Sequence, residues 1–405
     1  MQGMAPAQTD FVALARRGLR DTGTSCARPW SARGAPIRGA RAAAVTDPLV
    51  YPGTPVFEVD GQVRGELALD VVRLEVEEGT DGLKTFSARF RAYGPRTGSS
   101  QEELLYLDGR VFDFGKPIAV SVGPVQNART VFRGKVSALE ASFEVPREPE
   151  VVVFAEDELM DLRMTRRTRT YENMSDAGIA EEVASLHGLG AEVDADGPTY
   201  DRVQQWNLSD LAFLRARARL IQAEVWVGDG TLRFQSRTRR SAPDVTLVIE
   251  SDLLCLSLRA DLAHQRTSVR VTGYDASARG AIDEEAGSEA IQAEVSGGRT
   301  GPDILQTSFG GRVSLRSREV PLTTGEARDW ARAEMLRRCR GFVQAVGTTK
   351  GTPDLAVGSR ITLQRVGAPF EGSGYYATRV RQTYDLVNGY RTYFEAERAT
   401  VEAAP

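Results

Sequence analysis

Apolar and polar residues alternate from Pro55 to Phe154, and this pattern predicts a series of short β-strands. The alternation holds from Leu67 to Val76 with one slip of register near Val72. Turn signals interrupt it at intervals of roughly 8–12 residues, which is typical of an antiparallel barrel or sandwich. The predicted strands are Val56–Val59, Leu67–Val76, Phe86–Phe90, Val111–Phe114, Ile118–Val122, Val131–Leu139 and Phe143–Val145.

Helical spacing replaces the alternation after Glu156. A short helical turn is predicted at 157–162, and a longer helix follows Ser175 as its N-cap and ends at His187-Gly188. A second helix begins after Asn207 or Ser209. The segment from Glu224 to Phe234 then reads as a hairpin that turns at Gly228-Asp229-Gly230, so this region predicts a small α/β unit.

Strand patterns resume near Val245 and continue almost to the end of the chain. The stretch from Asp275 to Pro302 has few large apolar residues and predicts an exposed insertion. A helix is predicted at Thr324–Arg340, with Gly341 behind it. The predicted strands are Leu253–Leu258, Ser268–Thr272, Ile361–Gln364, Tyr375–Arg379, Arg381–Val387 and Tyr390–Glu397, the last two joined by an Asn388-Gly389 turn.

The order of these patterns predicts a mainly β fold of the α+β class. Two antiparallel β-barrel domains flank an intervening small α/β domain, and the two β domains are of similar size, as related copies would be. The predicted divisions are a flexible Arg/Ala-rich N-terminal arm at 1–48, a first barrel at 49–155, the α/β domain at 156–243 and a second barrel at 244–405, with the exposed insertion near 275–302.

Composition excludes several classes of function. The chain has 405 residues with 51 basic and 55 acidic side chains, so its net charge of −4 gives no general attraction to nucleic acid. No run of about 18 apolar residues occurs, and the sequence therefore predicts no membrane span. Scattered cysteines and this composition favour synthesis in a reducing cytoplasm.

The first 45 residues differ from the rest in charge, because they contain seven arginines and only two acidic residues, Asp10 and Asp21. Their Ala, Gly, Pro and Ser content favours a flexible arm or a start codon placed too early. An organellar transit peptide has a similar bias and remains the alternative. A secretory signal is not predicted, because Phe11–Leu14 is too short for its apolar core.

The sequence predicts no active site, cofactor site or metal site. Adjacent carboxylates diverge on a strand or helix, so none of the acidic pairs predicts an acid/base couple. The candidates are Glu77-Glu78, Glu102-Glu103, Glu181-Glu182 and Asp283-Glu284-Glu285.

The remaining reactive residue types also favour structural roles. His187 stands at a predicted helix end, and His264 has no set of catalytic partner residues. Gly372-Ser373-Gly374 predicts a turn. The basic runs Arg163–Arg169 and Arg237–Arg240 favour a solvated or subunit-facing patch over nucleic-acid contact. Cys26, Cys255 and Cys339 are too far apart in sequence for a zinc motif.

Several segments resemble phage late control protein D, the hub of contractile-tail baseplates and the amino-terminal part of type VI secretion spike proteins. The first is Trp206–Leu214, followed by a helix and the hairpin at Glu224–Phe234. The second is Phe132–Val136 with Leu139-Glu140, which is similar to a strand pair of the family's first barrel. The third comprises Gly374–Tyr376, Arg379-Val380, Tyr384 and Gly389–Glu395, which resemble its terminal hairpin.

The resemblance covers residues 55–400 in the family's order and implies a non-enzymatic structural hub. Such a hub is a homotrimer whose two tube-like barrels per chain form a pseudo-sixfold ring. The implied partners are a hexameric inner tube, a separate trimeric spike, baseplate wedge or adaptor proteins, and a tape measure or cargo in the lumen. The implied location is a phage-like particle or injection system assembled in the bacterial cytoplasm.

Two alternatives belong to other functional classes. A cell-wall-degrading tail component would need an acid/base set, which the residues do not provide. A glycan-binding β module would need an aromatic-lined pocket, whereas the aromatic residues stand mostly at strand positions. The family itself spans phages, tailocins and extracellular or cell-anchored injection systems.

Overall fold

Strands make up about half of the described chain. The computed structural model describes residues 53–95, 100–123, 128–316 and 320–402, so the predicted arm at 1–48 lies outside the described residues. The elements before residue 157 are β1 (Val56–Val59), β2 (Gln62–Val63), α1 (Gly65–Asp70), β3 (Val71–Gly79), β4 (Thr85–Arg91), β5 (Tyr93–Pro95), β6 (Glu102–Leu104), β7 (Pro117–Val122), β8 (Arg129–Ser142) and β9 (Glu150–Glu156).

Helices and strands then alternate as far as residue 236, after which strands again predominate. The first stretch contains α2 (Leu159–Met164), β10 (Arg166–Ser175), α3 (Asp176–Leu186), β11 (Gly190–Asp194), β12 (Thr199–Ser209), α4 (Asp210–Ile221), β13 (Ala223–Gly228) and β14 (Thr231–Ser236). The second contains β15 (Val245–Val248), β16 (Leu253–Ala260), β17 (Ser268–Asp275), β18 (Gly280–Gly287), a 3-10 helix (Ser288–Glu294), β19 (Arg299–Thr300), α5 (Gly301–Phe309), β20 (Val313–Arg316), α6 (Thr324–Arg340), β21 (Val343–Thr349), β22 (Arg360–Gln364), β23 (Gly372–Asp385), β24 (Gly389–Arg398) and β25 (Thr400–Val401).

One large sheet contains strands from both the N-terminal and the C-terminal parts of the described chain. Across the described residues, thirteen strands join in the order β16-β21-β24-β23-β3-β4-β9-β8-β7-β1-β2, with β22 and β15 attached beside β23. The predicted mainly β fold is therefore confirmed. The predicted pair of barrels is not, because the described strands form one open sheet rather than two closed ones.

The large sheet contains the same strand arrangement twice. An N-terminal segment has the spatial order β1-β7-β8-β9-β4-β3, and a C-terminal segment has the order β15-β22-β23-β24-β21-β16. In both segments the successive strands of the chain occupy these six positions in the same order. They differ at one edge, where β1 pairs antiparallel with β7 and β15 pairs parallel with β22.

The two segments also agree in register. Both β3–β4 and β16–β21 have a bulge near their start, between Val71 and Arg73 and between Leu253 and Cys255. Bulges also occur between Val136 and Ala138 in β8–β9 and between Ala377 and Arg379 in β23–β24. Because a bulge displaces every later side chain, matching bulges place equivalent residues on the same face of both segments.

Two apolar clusters pack against one face of this sheet. The cluster of the N-terminal segment is rich in aromatic rings, with Phe57 and Phe90 centroids 5.3 Å apart and Phe86 stacked on Phe132 at 5.1 Å. The cluster of the C-terminal segment contains Leu247, Phe342, Ile361, Tyr375 and Phe394. Each segment therefore has its own core, although their strands are hydrogen-bonded into one sheet.

A third apolar cluster forms the α/β body. It combines α3, α4 and the β13–β14 hairpin with β17, β18 and α6. Val269, Val271, Ile282 and Ala286 are buried there beneath α6, and Trp330 of α6 is 6% exposed. The segment predicted as an insertion near 275–302 contributes Ile282, Ala286, Ala290 and Ile291 to this cluster, while most of its other residues are exposed.

Helix boundaries follow the capping signals in the sequence. Ser175 Oγ accepts a hydrogen bond from Gly178 N at 3.2 Å, and Ser209 Oγ accepts one from Ala212 N at 3.2 Å. These contacts confirm the Ser175 cap and select Ser209 over Asn207 for the second helix. Helix α5 was missed, although Thr300 caps it and Pro302 lies in its first turn, both common starting signals.

One predicted strand boundary is wrong and one predicted irregularity is confirmed. Leu67 lies in helix α1 rather than in a strand, and it is buried, as is Val71 at the start of β3. The predicted slip near Val72 is the bulge at the start of β3. No helix within the described ranges is long and apolar enough to cross a membrane.

Gly82→Ala should destabilise the protein more than Gly61→Ala. Both glycines have positive φ, 69° and 73°, which costs an alanine about 1–2 kcal/mol. A Cβ on Gly61 meets nothing within 4 Å, whereas one on Gly82 would lie 2.2 Å from the carbonyl oxygen of Val225. Urea unfolding should show the larger loss for Gly82→Ala; equal losses would contradict this close approach between the sheet and the α/β body.

Candidate assembly surfaces

The sheet face opposite the two apolar clusters is called the open face here. Cross-strand register places Glu75 and Glu77 of β3, Arg379 and Arg381 of β23, and Glu395 of β24 on it. The same registers add polar side chains from the neighbouring strands. These are Thr85, Ser87 and Arg89 of β4, Arg391 and Tyr393 of β24, Thr348 of β21 and Ser257 of β16.

The two segments meet at the antiparallel pairing of β3 with β23, called the junction here. Its register runs from Gly79 opposite Arg379 to Arg73 opposite Asp385. On the open face, Arg379 contacts Glu77 at 3.2 Å and Arg381 approaches Glu75 at 3.6 Å. Such partly exposed pairs contribute about 0–1 kcal/mol each, so they favour one register more than they add stability.

A buried cluster of charges lies on the other side of the junction and is called the Arg240 cluster. Arg240 donates to Glu78 of β3 at 2.6 Å and to Glu224 of β13 at 3.2 Å. Tyr376 of β23 donates its hydroxyl to the same Glu224 carboxylate at 2.6 Å. Arg237 donates to Glu224 at 3.3 Å and also to Glu397 of β24. The cluster therefore ties both segments to the α/β body.

Aromatic rings complete the Arg240 cluster. The Arg240 guanidinium lies 4.2 Å from the ring centre of Trp226, and Arg237 and Arg360 lie 4.2 and 4.5 Å from that of Tyr376. The faces of these rings carry partial negative charge, which stabilises a cation removed from water. The guanidinium groups thus have both carboxylates and rings as partners, as buried cations require.

The pKa values in the cluster reflect a balance of burial and charge. Burial by itself raises the pKa of Glu78, but Lys84 and Arg240 outweigh it and hold that pKa below the ordinary value. Burial lowers the pKa of Arg237, but Glu397 and Glu224 outweigh it and raise that pKa. Both groups are therefore charged at neutral pH, and the cluster is a network of complete ion pairs.

The sequence interpretation of Arg237–Arg240 as a solvated or subunit-facing patch is therefore wrong for two of its members. Arg240 is 6% exposed and Arg237 is its neighbour in the buried cluster, whereas Arg239 points outward and pairs with Asp194 at 3.3 Å. Residues 237–239 form a turn after β14, in which Arg239 N donates to Ser236 O at 2.9 Å, and this turn directs Arg239 away from the cluster. The carboxylates that pair with Arg240, Glu78 and Glu224, lie outside this basic run. The run itself therefore gave no sign that two of its arginines are buried.

A second buried polar group contains His187 and Asp210. Asp210 accepts hydrogen bonds from His187 at 2.7 Å, Arg167 at 2.9 Å and Gln205 at 2.8 Å. Burial raises the pKa of Asp210, but these donors outweigh it and lower the pKa. The neighbouring Ser209 hydroxyl is used as a helix cap. The arrangement fastens the end of α3 to the start of α4 and presents no activated nucleophile.

The other candidate chemical groups separate in space. Glu77 and Glu78 project to opposite faces of β3, toward Arg379 and Arg240. Burial raises the pKa of the Cys339 thiol to about 12, so this thiol is unreactive, and Cys255 stands on the edge strand β16. Within the described ranges no three His, Cys, Asp or Glu side chains could together hold a metal ion.

An Arg-rich groove of about 520 Å³ borders one end of the open face. Arg215, Arg219 and Arg338 line it together with Glu395 and Glu397. Arg215 donates to the carbonyl oxygens of Asp81 and Gly82 at 2.6 and 3.0 Å. The groove therefore holds cations that already fasten the body to the sheet.

The segments that carry the family resemblance lie at structurally important places. Trp206–Leu214 covers the end of β12 and the capped start of α4, where Phe213 stacks on Tyr171 with ring centres 5.6 Å apart. Phe132–Val136 lies on β8, and Gly374–Glu395 spans the β23–β24 hairpin. Trp206 itself is 66% exposed, so it is a surface residue rather than a core residue.

Comparison with known proteins gives a family and a fold. The family model described as the Alg8 N-terminal domain matches residues 97–385. No curated protein sequence matches the chain.

Solved structures with the same fold are proteins of phage tails and of a secretion system. The prophage MuSo2 43 kDa tail protein from Shewanella oneidensis has 14% identity and a TM-score of 0.62, with 86% of this chain and 98% of that one covered. A tail protein from Neisseria meningitidis MC58 has 12% identity and a TM-score of 0.60, with coverage of 86% and 97%. The E. coli c3393 protein has 14% identity and a TM-score of 0.54, with coverage of 86% and 79%. That protein is a component of the type VI secretion system with structural similarity to the T4 bacteriophage tail proteins gp27 and gp5.

Arg240→Ala should destabilise the fold by about 3–5 kcal/mol, because it leaves Glu78 and Glu224 buried without their shared cation. Arg239→Ala is the matched control: its partly exposed pair with Asp194 predicts a change within about 0.5 kcal/mol. Urea unfolding followed by circular dichroism measures both. Similar unfolding midpoints for the two variants would show that the Arg240 cluster does not hold the segments together.

Proposed function

The chain belongs to the Alg8 N-terminal domain family. From the fold that it shares with tail proteins we propose that it is a structural hub subunit of a contractile phage tail-like injection machine. In this role it resembles late control protein D and forms a trimeric ring between a hexameric inner tube and a separate trimeric spike. Its function is assembly and not catalysis.

The observation that carries the proposal is the repeated strand arrangement within one sheet. Two equivalent segments per chain, taken three times, give six equivalent positions around an axis, while the α/β bodies keep threefold symmetry. A ring of this kind can contact a sixfold partner on one side and a threefold partner on the other. The predicted division into two tube-like domains and one α/β domain is part of this proposal.

The open face supports the same role. It runs without interruption across both segments and carries charged side chains of both signs, so water can remain against it. In the proposed ring this face lines the central channel, through which a tape measure or cargo passes. The opposite face is occupied by the apolar clusters and the Arg240 cluster, which give the ring a rigid wall.

The remaining assignments follow from this role. Wedge or adaptor proteins of the baseplate would contact the outside of the ring, and the machine would be assembled in the bacterial cytoplasm before it acts. Nucleic-acid binding is no part of the proposal, since the net charge is −4. The cysteine, histidine and carboxylate groups described above are proposed to be structural.

Purified full-length protein should form a particle of about 132 kDa, three times the 44.1-kDa chain. Light scattering measures this mass, and negative-stain images should show a ring with a central opening and six peripheral lobes. A protein that stays monomeric even with its cognate spike and tube proteins would contradict the proposal. Hydrolysis of purified cell wall would favour an enzymatic tail component instead.

A further inference from the structure

Two strand edges have no backbone partner within the described residues. One is the outer edge of β16 from Cys255 onward; Leu253 before it bridges Ile249, and the strand otherwise pairs with β21. The other is the edge of β8 beyond Val136: β7 covers β8 as far as Lys135, and Gly115 N donates to Val136 O at 2.8 Å. Residues 137–142 then pair with β9 on one side only. Unpaired edges of this length are templates for another strand.

These two edges are the counterparts of the strands that form the junction. By strand order and bulge position, β16 corresponds to β3 and β8 corresponds to β23. The correspondence extends to single hydrogen bonds, because Gly358 N donates to Ala377 O at 2.9 Å where Gly115 N donates to Val136 O. Inside the chain, the β3 and β23 edges are satisfied by each other.

We propose that β16 of one copy pairs antiparallel with the second half of β8 in a second copy, in the register of the junction. The inference rests on the proposed ring-forming hub and supplies its subunit interface. Transferring the junction register through the equivalent bulges pairs Asp261 with Ala138, Ala260 with Leu139, Arg259 with Glu140, Leu258 with Ala141 and Ser257 with Ser142. Continued past the end of β8 at Ser142, the same register pairs Leu256 with Phe143 and Cys255 with Glu144.

Charge supports this register. At the junction, Arg381 faces Glu77 across the two strands. Their counterparts at the proposed interface are Glu140 and Arg259, which carry the opposite signs at both positions. Both residues are exposed; Arg259 pairs with Asp261 of its own chain, and within the described residues Glu140 makes no ion pair. Opposite charges placed directly across antiparallel strands stabilise the pair, and like charges destabilise it.

Burial supports the interface as well. Leu74, Val76 and Val380 of the junction are 0%, 3% and 5% exposed. Their counterparts Leu256, Leu258 and Leu139 are only half-buried, although they pack against the apolar clusters of their segments. A second copy placed on each edge would cover these residues as β3 and β23 cover each other.

The second copy is favoured over another protein because the two free edges complement each other within one sequence. They are different surfaces, so the contact is head-to-tail and leaves one free edge at each end until a ring closes. Three such contacts would alternate with three junctions, and the large sheet would have no free β8 or β16 edge.

The test uses the native Cys255. In a Cys26→Ser background, Glu144→Cys places a thiol opposite Cys255 of the neighbouring copy, within the Cα separation that a disulfide spans. Under mild oxidation it should give a ladder of linked chains that ends at three. Glu140→Cys in the same background is the matched control, since its thiol lies four residues, about 13 Å, from Cys255. It should give no such ladder.

A second pair checks the register independently of Cys255. Glu140→Cys with Arg259→Cys, made with Cys255→Ser, should restore the ladder. Charge exchange gives a further measurement without thiols. Glu140→Arg or Arg259→Glu alone should weaken association about fivefold or more, and the double exchange should recover most of the loss.

Each outcome has a defined meaning. A 132-kDa ring in which Glu144→Cys does not cross-link would overturn the proposed interface and leave the hub proposal standing. Monomers with no cross-link in any variant would overturn both. Cross-linking of Glu140→Cys to Cys255 as strongly as Glu144→Cys would show a different register and would also overturn the inference.

Discussion

The junction between β3 and β23 is the constraint on which the rest of the structure depends. Two segments with separate apolar cores become one sheet only through this pairing. The open-face ion pairs are too exposed to fix its geometry alone, so the buried side must do so. There the Arg240 cluster joins Glu78 of β3, Tyr376 of β23 and Glu224 of the body in one network.

A buried ion network of this kind is better suited to fixing geometry than to adding stability. Moving the guanidinium groups of Arg237 and Arg240 out of water is costly, and their carboxylate and aromatic partners offset that cost only when all of them are in place. Any sliding of β3 along β23 would separate Glu78 from Arg240. Register at the junction is therefore held by hydrogen bonds with narrow geometric limits.

The two segments are alike in topology and unlike in what connects their strands. Between β3 and β4 there is only a short turn, whereas between β16 and β21 the chain forms β17 to β20, α5 and α6. That long excursion builds half of the α/β body. The body thus combines two separate parts of the sequence. Alternation and capping predicted single elements well, including Ser175, Thr324–Arg340 and the slip at Val72. Partners such as Asp210 for His187 or Glu78 for Arg240 were invisible, because tertiary contacts bring together residues with no local pattern.

The paired bulges bear on how much the sequence of such a protein can drift. A bulge is defined by the number of residues on each strand and hardly at all by their identity; Val72 and Leu254, and likewise Ser137 and Thr378, occupy equivalent bulges. Substitutions at these positions leave the strand register unchanged. One inserted or deleted residue would move every later side chain of the strand to the opposite face of the sheet. The fold therefore constrains the number of residues between bulges more than their identity. A fold shared at 14% identity with a Shewanella tail protein is the expected result.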